Sequence, residues 1–97
     1  MIKVSVVIPE NISGSVIVKA IGHSQSIELC NAVSILMKVL ESAFLRSDTK
    51  SIVKCNNPGL FELYGSANEL LIFSVICFVD AVKWLEKKYK GEINLNS

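Results

Sequence analysis

One histidine and one cysteine, with six residues between them, stand near the beginning of this chain in the run Gly22-His23-Ser24-Gln25-Ser26-Ile27-Glu28-Leu29-Cys30. A cysteine thiol attacks as its thiolate, a form favoured by a nearby imidazole and by the positive end of a helix. An imidazole within reach of that sulfur takes its proton and later returns it to a leaving amine. The chemistry these two side chains would support is acyl transfer through a thioester. Lone histidines and buried cysteines also serve structure, and the spacing alone leaves both readings open. Ser34 follows Cys30 by one helical turn on the same face, where it would either donate a hydrogen bond near the sulfur or bond back to a preceding carbonyl. Asn31 is a weaker candidate for positioning a substrate or an oxyanion. Glu28 suits the first turn of a helix, where an anion is favoured.

These residues need elements to hold them. Ile2 to Ile8 is rich in Val and Ile and is broken by Pro9-Glu10-Asn11; a second extended stretch follows Gly14 and ends at Gly22. Together they predict a β-hairpin, with Val16 and Val18 on one face and Ile17 and Lys19 on the other. The period then becomes helical: Leu29, Val33, Leu36, Met37, Leu40 and Phe44 recur at spacings of three and four, predicting a helix from about Ile27 to Leu45. Ser24 or Ser26 would cap it. Cys30 thus falls in its first turns, where unused backbone N–H groups would be the natural donors to an oxyanion. The loop from Ser24 to Leu29 is expected to wall the peptide groove.

The second half repeats the order. Ser51 to Cys55 and Leu60 to Tyr64 read as two strands around the turn Asn56-Asn57-Pro58-Gly59. Gly65-Ser66-Ala67-Asn68 separates them from a second helix that runs to about Tyr89, with Asn68 as its N-cap and Glu69 in its first turn. That helix carries Leu70, Leu71, Phe73, Val75, Ile76, Cys77, Phe78, Val79, Val82, Trp84 and Leu85, more than one narrow stripe. So broad an apolar surface suggests a helix-mediated homodimer. Glu92 to Ser97 alternates weakly, as an added edge strand would. The expected fold is a single α+β domain over residues 1–97. It has two layers, two β-hairpins each followed by a long helix (ββαββα), a possible short C-terminal strand, and helices packed on a mainly antiparallel or mixed sheet.

Composition narrows the function classes. The 97 residues are 51% hydrophobic with a formal net charge of +1, too little positive charge for affinity built on phosphate contacts. Lys87-Lys88-Tyr89-Lys90 closes a helix, where cations meet the negative end of its dipole. Three cysteines are too few for a disulfide scaffold, and their odd number suits a reducing cytoplasm. Cys55 and Cys77 are expected to be small buried hydrophobes. With one histidine and no close cysteine pair, no metal or cofactor is called for. The opening strand is too broken for a signal peptide, and Leu70 to Val79 is too short for a membrane span. The aromatic residues are assigned to core or subunit packing.

Gly22-His23, followed by Cys30-Asn31-Ala32-Val33-Ser34 at the start of a long amphipathic helix, resembles the glycine-histidine and cysteine-x-x-valine-serine signatures of the Prp family of ribosomal-processing cysteine proteases. The likeness extends over nearly the whole chain, including Met1-Ile2-Lys3-Val4 and the order of elements. It implies that Cys30 is the nucleophile and His23 the catalytic histidine, with Ser34 and Gly22 matching the family's conserved serine and glycine. It further implies a cysteine endopeptidase that removes a short N-terminal extension from a bacterial large-subunit ribosomal protein. One departure is the spacer: many members have a longer, glycine-containing loop with an acidic residue three positions before the cysteine, where Ile27 stands here. The competing expectation is a non-catalytic homodimeric protein that binds the ribosome, with Cys30 and His23 structural.

Overall fold

The computed structural model describes residues 1–11, 13–47, 51–56 and 59–97, without the side chains of residues 55 and 56. The chain runs β1 (Ile2–Val7), β2 (Ser15–Gly22), α1 (Ile27–Ser47), β3 (Ile52–Asn56), β4 (Leu60–Ser66), α2 (Glu69–Lys88) and β5 (Ile93–Asn96). The five strands form one sheet in the order β3-β4-β2-β1-β5. All neighbours are antiparallel except β1 and β5, which pair parallel with Ile2 opposite Ile93. This is the expected ββαββα, two-layer arrangement with a mixed sheet, and the weakly alternating tail is its edge strand. The turn expected at Asn57-Pro58 and the burial expected of Cys55 lie outside the described residues.

Strand alternation divides the sheet into two unlike faces. Ile2, Val4 and Val6 of β1, Val16, Val18 and Ala20 of β2, and Leu63 of β4 are buried beneath the helices. On the other face the ammonium groups of Lys19 and Lys54 lie 5.9 and 5.6 Å from the Tyr64 ring. α1 contributes Leu29, Val33, Met37, Leu40 and Phe44 to the core, and α2 contributes Leu71, Val75, Phe78, Val82 and Leu85. Both sets step by three and four residues, the spacing of one buried helix face.

Three expectations are corrected. Gly65 and Ser66 do not separate β4 from α2 but extend the strand, with Gly65 opposite Val16. A Cβ on Gly65 would lie 2.9 Å from Phe44 Cδ2 and 3.1 Å from Leu71 Cδ2, so this glycine lets both helices close on the sheet. α1 continues two residues beyond Leu45, to Ser47. Cys77, expected in the core, is exposed. It sits two positions after buried Val75, about 200° around the helix by the ordinary pitch, and so points to the outer side.

Candidate functional site

β2 ends shortly before α1 begins, and the two candidate side chains flank the turn between them, His23 at its start and Cys30 in the first turn of α1. Gly22 closes β2 at φ +103°, a conformation that favours glycine. A Cβ there would come within 2.2 Å of the Met1 carbonyl oxygen, so the close approach of β1 also requires glycine. The Gly22 N–H donates to the Gly59 carbonyl at 2.8 Å, extending the contact between β2 and the chain leading into β4. His23 follows directly and is exposed. Its ring lies against Gly59, where a Cβ would be 2.6 Å from Nε2 and 2.9 Å from Cε1.

Ser26, not Ser24, caps α1. Its hydroxyl accepts the Leu29 N–H at 3.2 Å, and its carbonyl accepts the Cys30 N–H at 3.1 Å. Those two N–H groups are therefore engaged, which corrects the expectation of unused donors beside the cysteine. Cys30 lies one full turn into the helix, at the fourth helical position. Ser24 supports the cap: its hydroxyl accepts the Ser26 N–H at 3.0 Å and donates to Glu92 Oε2 at 2.5 Å. The half-buried Cys30 thiol donates to the Ser24 carbonyl at 3.4 Å.

Cys30, Val33, Ser34 and Met37 share one side of α1 and form one wall of a cleft of about 220 Å³. Ile2, Ala20, Gly22 and His23 come from the paired ends of β1 and β2 and the turn after them, and Gly59, Leu60 and Phe61 close the opposite side. Gly22, His23, Cys30 and Ser34 thus meet in one cavity. Asn31 is exposed and outside its lining, a helical step of roughly 100° beyond Cys30. The residues from Ser24 to Leu29 do not wall the cleft, as had been expected; Gly59 to Phe61 do. Glu28 faces elsewhere, its carboxylate accepting from the Tyr89 hydroxyl at 3.4 Å.

Among the described residues no hydrogen bond joins His23 to Cys30, and the Ser34 hydroxyl has no protein partner. The cleft therefore holds an imidazole, a thiol bonded to a backbone carbonyl, and an unengaged hydroxyl, above a largely apolar floor. Phe61 and Gly59 are among the lining residues that the sequence does not single out. Phe61 was assigned to packing, and Gly59 was read only as a turn. The cross-strand register that puts Phe61 opposite Ala20 is set by pairing distant in sequence.

What the fold and cleft define is a two-layer α+β protein with a histidine and a cysteine flanking a strand-to-helix turn. Among solved structures the chain is similar to the essential ribosomal processing protease Prp from S. aureus, determined in complex with a covalently linked product peptide. That match has a TM-score of 0.75 and 23% sequence identity, and covers 99% of this chain and 98% of the other. The chain is also similar to SMU.848 from Streptococcus mutans, with a TM-score of 0.61 at 13% identity over 99% and 96% of the two chains. At these identities the likeness is one of fold. No protein-family model matches the chain, and no curated protein matches it significantly.

Proposed function

We propose that this protein is a cytoplasmic cysteine endopeptidase of the Prp family that removes a short N-terminal extension from a bacterial large-subunit ribosomal protein. The observation that carries the reading is the convergence of Gly22, His23, Cys30 and Ser34 on one cleft, in a fold shared with a ribosomal processing protease. His23 takes the thiol proton, and the Cys30 sulfur bonds to the scissile carbonyl carbon. Collapse of the tetrahedral intermediate breaks the C–N bond as His23 protonates the leaving amine, and water then hydrolyses the thioester to regenerate the thiol. Because Leu29 and Cys30 N–H groups already serve Ser26, the Ser34 hydroxyl is the side-chain donor at hand for a substrate oxygen. No metal or cofactor takes part.

The test is incubation of the purified protein with a ribosomal protein bearing its N-terminal extension, beside folded Cys30→Ala and His23→Ala variants. Cleavage by the parent and its loss in both variants is the expected result. Cleavage undiminished in Cys30→Ala refutes the assignment.

The reading includes a homodimer formed through the outer face of the two helices. Ile35, Val39, Phe73 and Trp84 are 63%, 64%, 66% and 59% exposed there, a concentration of large apolar groups that monomers seldom leave in water. Phe73→Asp should convert a dimer to monomer in sedimentation with little change in the fold. The competing reading, a non-catalytic homodimer that binds the ribosome, draws on the contact of the Cys30 thiol with Ser24 instead of His23. Absence of cleavage by the parent, with ribosome binding retained, would select it.

A further inference from the structure

The turn between His23 and Cys30 is tied to a part of the chain remote in sequence. Glu92, just before β5, is fixed by its backbone: its N–H donates to the Tyr89 carbonyl at 3.0 Å, and its carbonyl accepts the Ile2 N–H at 2.9 Å. Its carboxylate accepts the Ser24 hydroxyl at 2.5 Å, and the Ser24 carbonyl accepts the Cys30 thiol. A hydrogen bond to a charged acceptor is among the stronger ones, so Glu92 is well suited to hold Ser24 in one orientation. A thiol that donates to a carbonyl keeps its proton on that bond, and the sulfur must leave it before it can give the proton to an imidazole.

We propose that Glu92 is a positioning residue acting on Cys30 through Ser24: it holds the Ser24 carbonyl where it engages the resting thiol, and release of that contact frees the sulfur for reaction. This rests on Cys30 being the nucleophile. Ser24 lies six positions before Cys30, and its carbonyl meets the thiol beside the first turn of α1.

The experiment is limited alkylation of the full chain by iodoacetamide, with peptide mass spectrometry reporting Cys30 relative to Cys77, which lies on the outer helical face that none of the variants touches. Glu92→Ala and Ser24→Ala are each expected to raise the Cys30-to-Cys77 ratio about three- to tenfold, the range of one modest hydrogen bond. Glu92→Gln keeps a neutral oxygen acceptor for Ser24 and should give a ratio between those of the parent and Glu92→Ala, a partial rescue that a general loss of packing would not show. Circular dichroism checks that each variant is folded. Should Glu92→Ala unfold, Ser24→Ala decides, because it breaks the same side-chain bond from its other end; Ser26→Ala, which loosens the start of α1 without touching Glu92, controls for the Ser26 N–H that the Ser24 hydroxyl also accepts. An unchanged ratio in folded variants overturns the proposal, as does Glu92→Gln behaving like Glu92→Ala. Precursor cleavage, measured in parallel on the parent, separates the two claims: a raised ratio without cleavage sinks only the protease reading, and cleavage with an unchanged ratio sinks only the role of Glu92.

Discussion

Replacing Gly59 with alanine should disable the cleft by moving one ring. The new Cβ would stand 2.6 Å from His23 Nε2, whereas ordinary contact begins near 3.4 Å, so the imidazole would have to retreat by about 0.8 Å. Retreat of the backbone instead is opposed by the Gly22 carbonyl oxygen, 3.2 Å from the same Cβ. A misplacement approaching 1 Å at a reacting group costs on the order of 100-fold in rate. Gly59 also sits at φ +85°, where a side chain costs about 1–2 kcal/mol. For a chain of this size that lowers Tm by roughly 5–15 °C. Gly91 is the control: its φ is +81°, but a Cβ there meets nothing within 4 Å, so Gly91→Ala carries the strain without the collision. Precursor cleavage and thermal unfolding of the two variants separate the effects. His23 is the only histidine, so its imidazole resonances report the ring directly by NMR. If Gly59→Ala leaves those resonances and the cleavage rate at the Gly91→Ala values, the claim that Gly59 sets the ring is wrong.

Other substitutions probe the scaffold. Phe44→Ala removes a fully buried ring from between α1 and the sheet and should cost about 3–5 kcal/mol in urea unfolding. Gly65→Ala forces a methyl against Phe44, Leu71 and the Ser51 hydroxyl and should cost about 1–3 kcal/mol by overpacking, again read from the urea midpoint. Ser26→Ala deletes the cap of α1 and should cost about 1 kcal/mol, with faster amide exchange at Leu29 than in the helix centre.

The helices and paired strands were legible because each presents a strong local period. Val16, Val18 and Ala20 alternate as a half-buried strand must, and Leu29 to Phe44 trace one helical face. Asn68 announced the start of α2 in the same local way, and its side chain accepts the Leu71 N–H at 2.9 Å. What escaped was set by partners far along the chain. Gly65 reads as a breaker until Phe44 and Leu71 are seen to need its missing Cβ. Cys77 was misplaced because α2 is apolar on its outer side too, so hydrophobicity no longer marks the buried face. At the cleft, the types and spacing of His23, Cys30 and Ser34 identified candidates. The cap by Ser26 was open to a local reading, as one of two serines at the helix start, but nothing local could show that Glu92 reaches Ser24 across 68 positions.

The central claim, that Cys30 is the nucleophile of a peptide-cleaving reaction, is tested most directly by trapping the acyl intermediate. The protein is mixed with the extended ribosomal precursor, quenched in acid, digested and analysed by mass spectrometry. The account predicts a hydroxylamine-labile increment, equal to the released N-terminal segment less water, on the peptide that contains Cys30, and no such species in Cys30→Ala. Cleavage of the precursor by folded Cys30→Ala, or an increment confined to another residue, would contradict it.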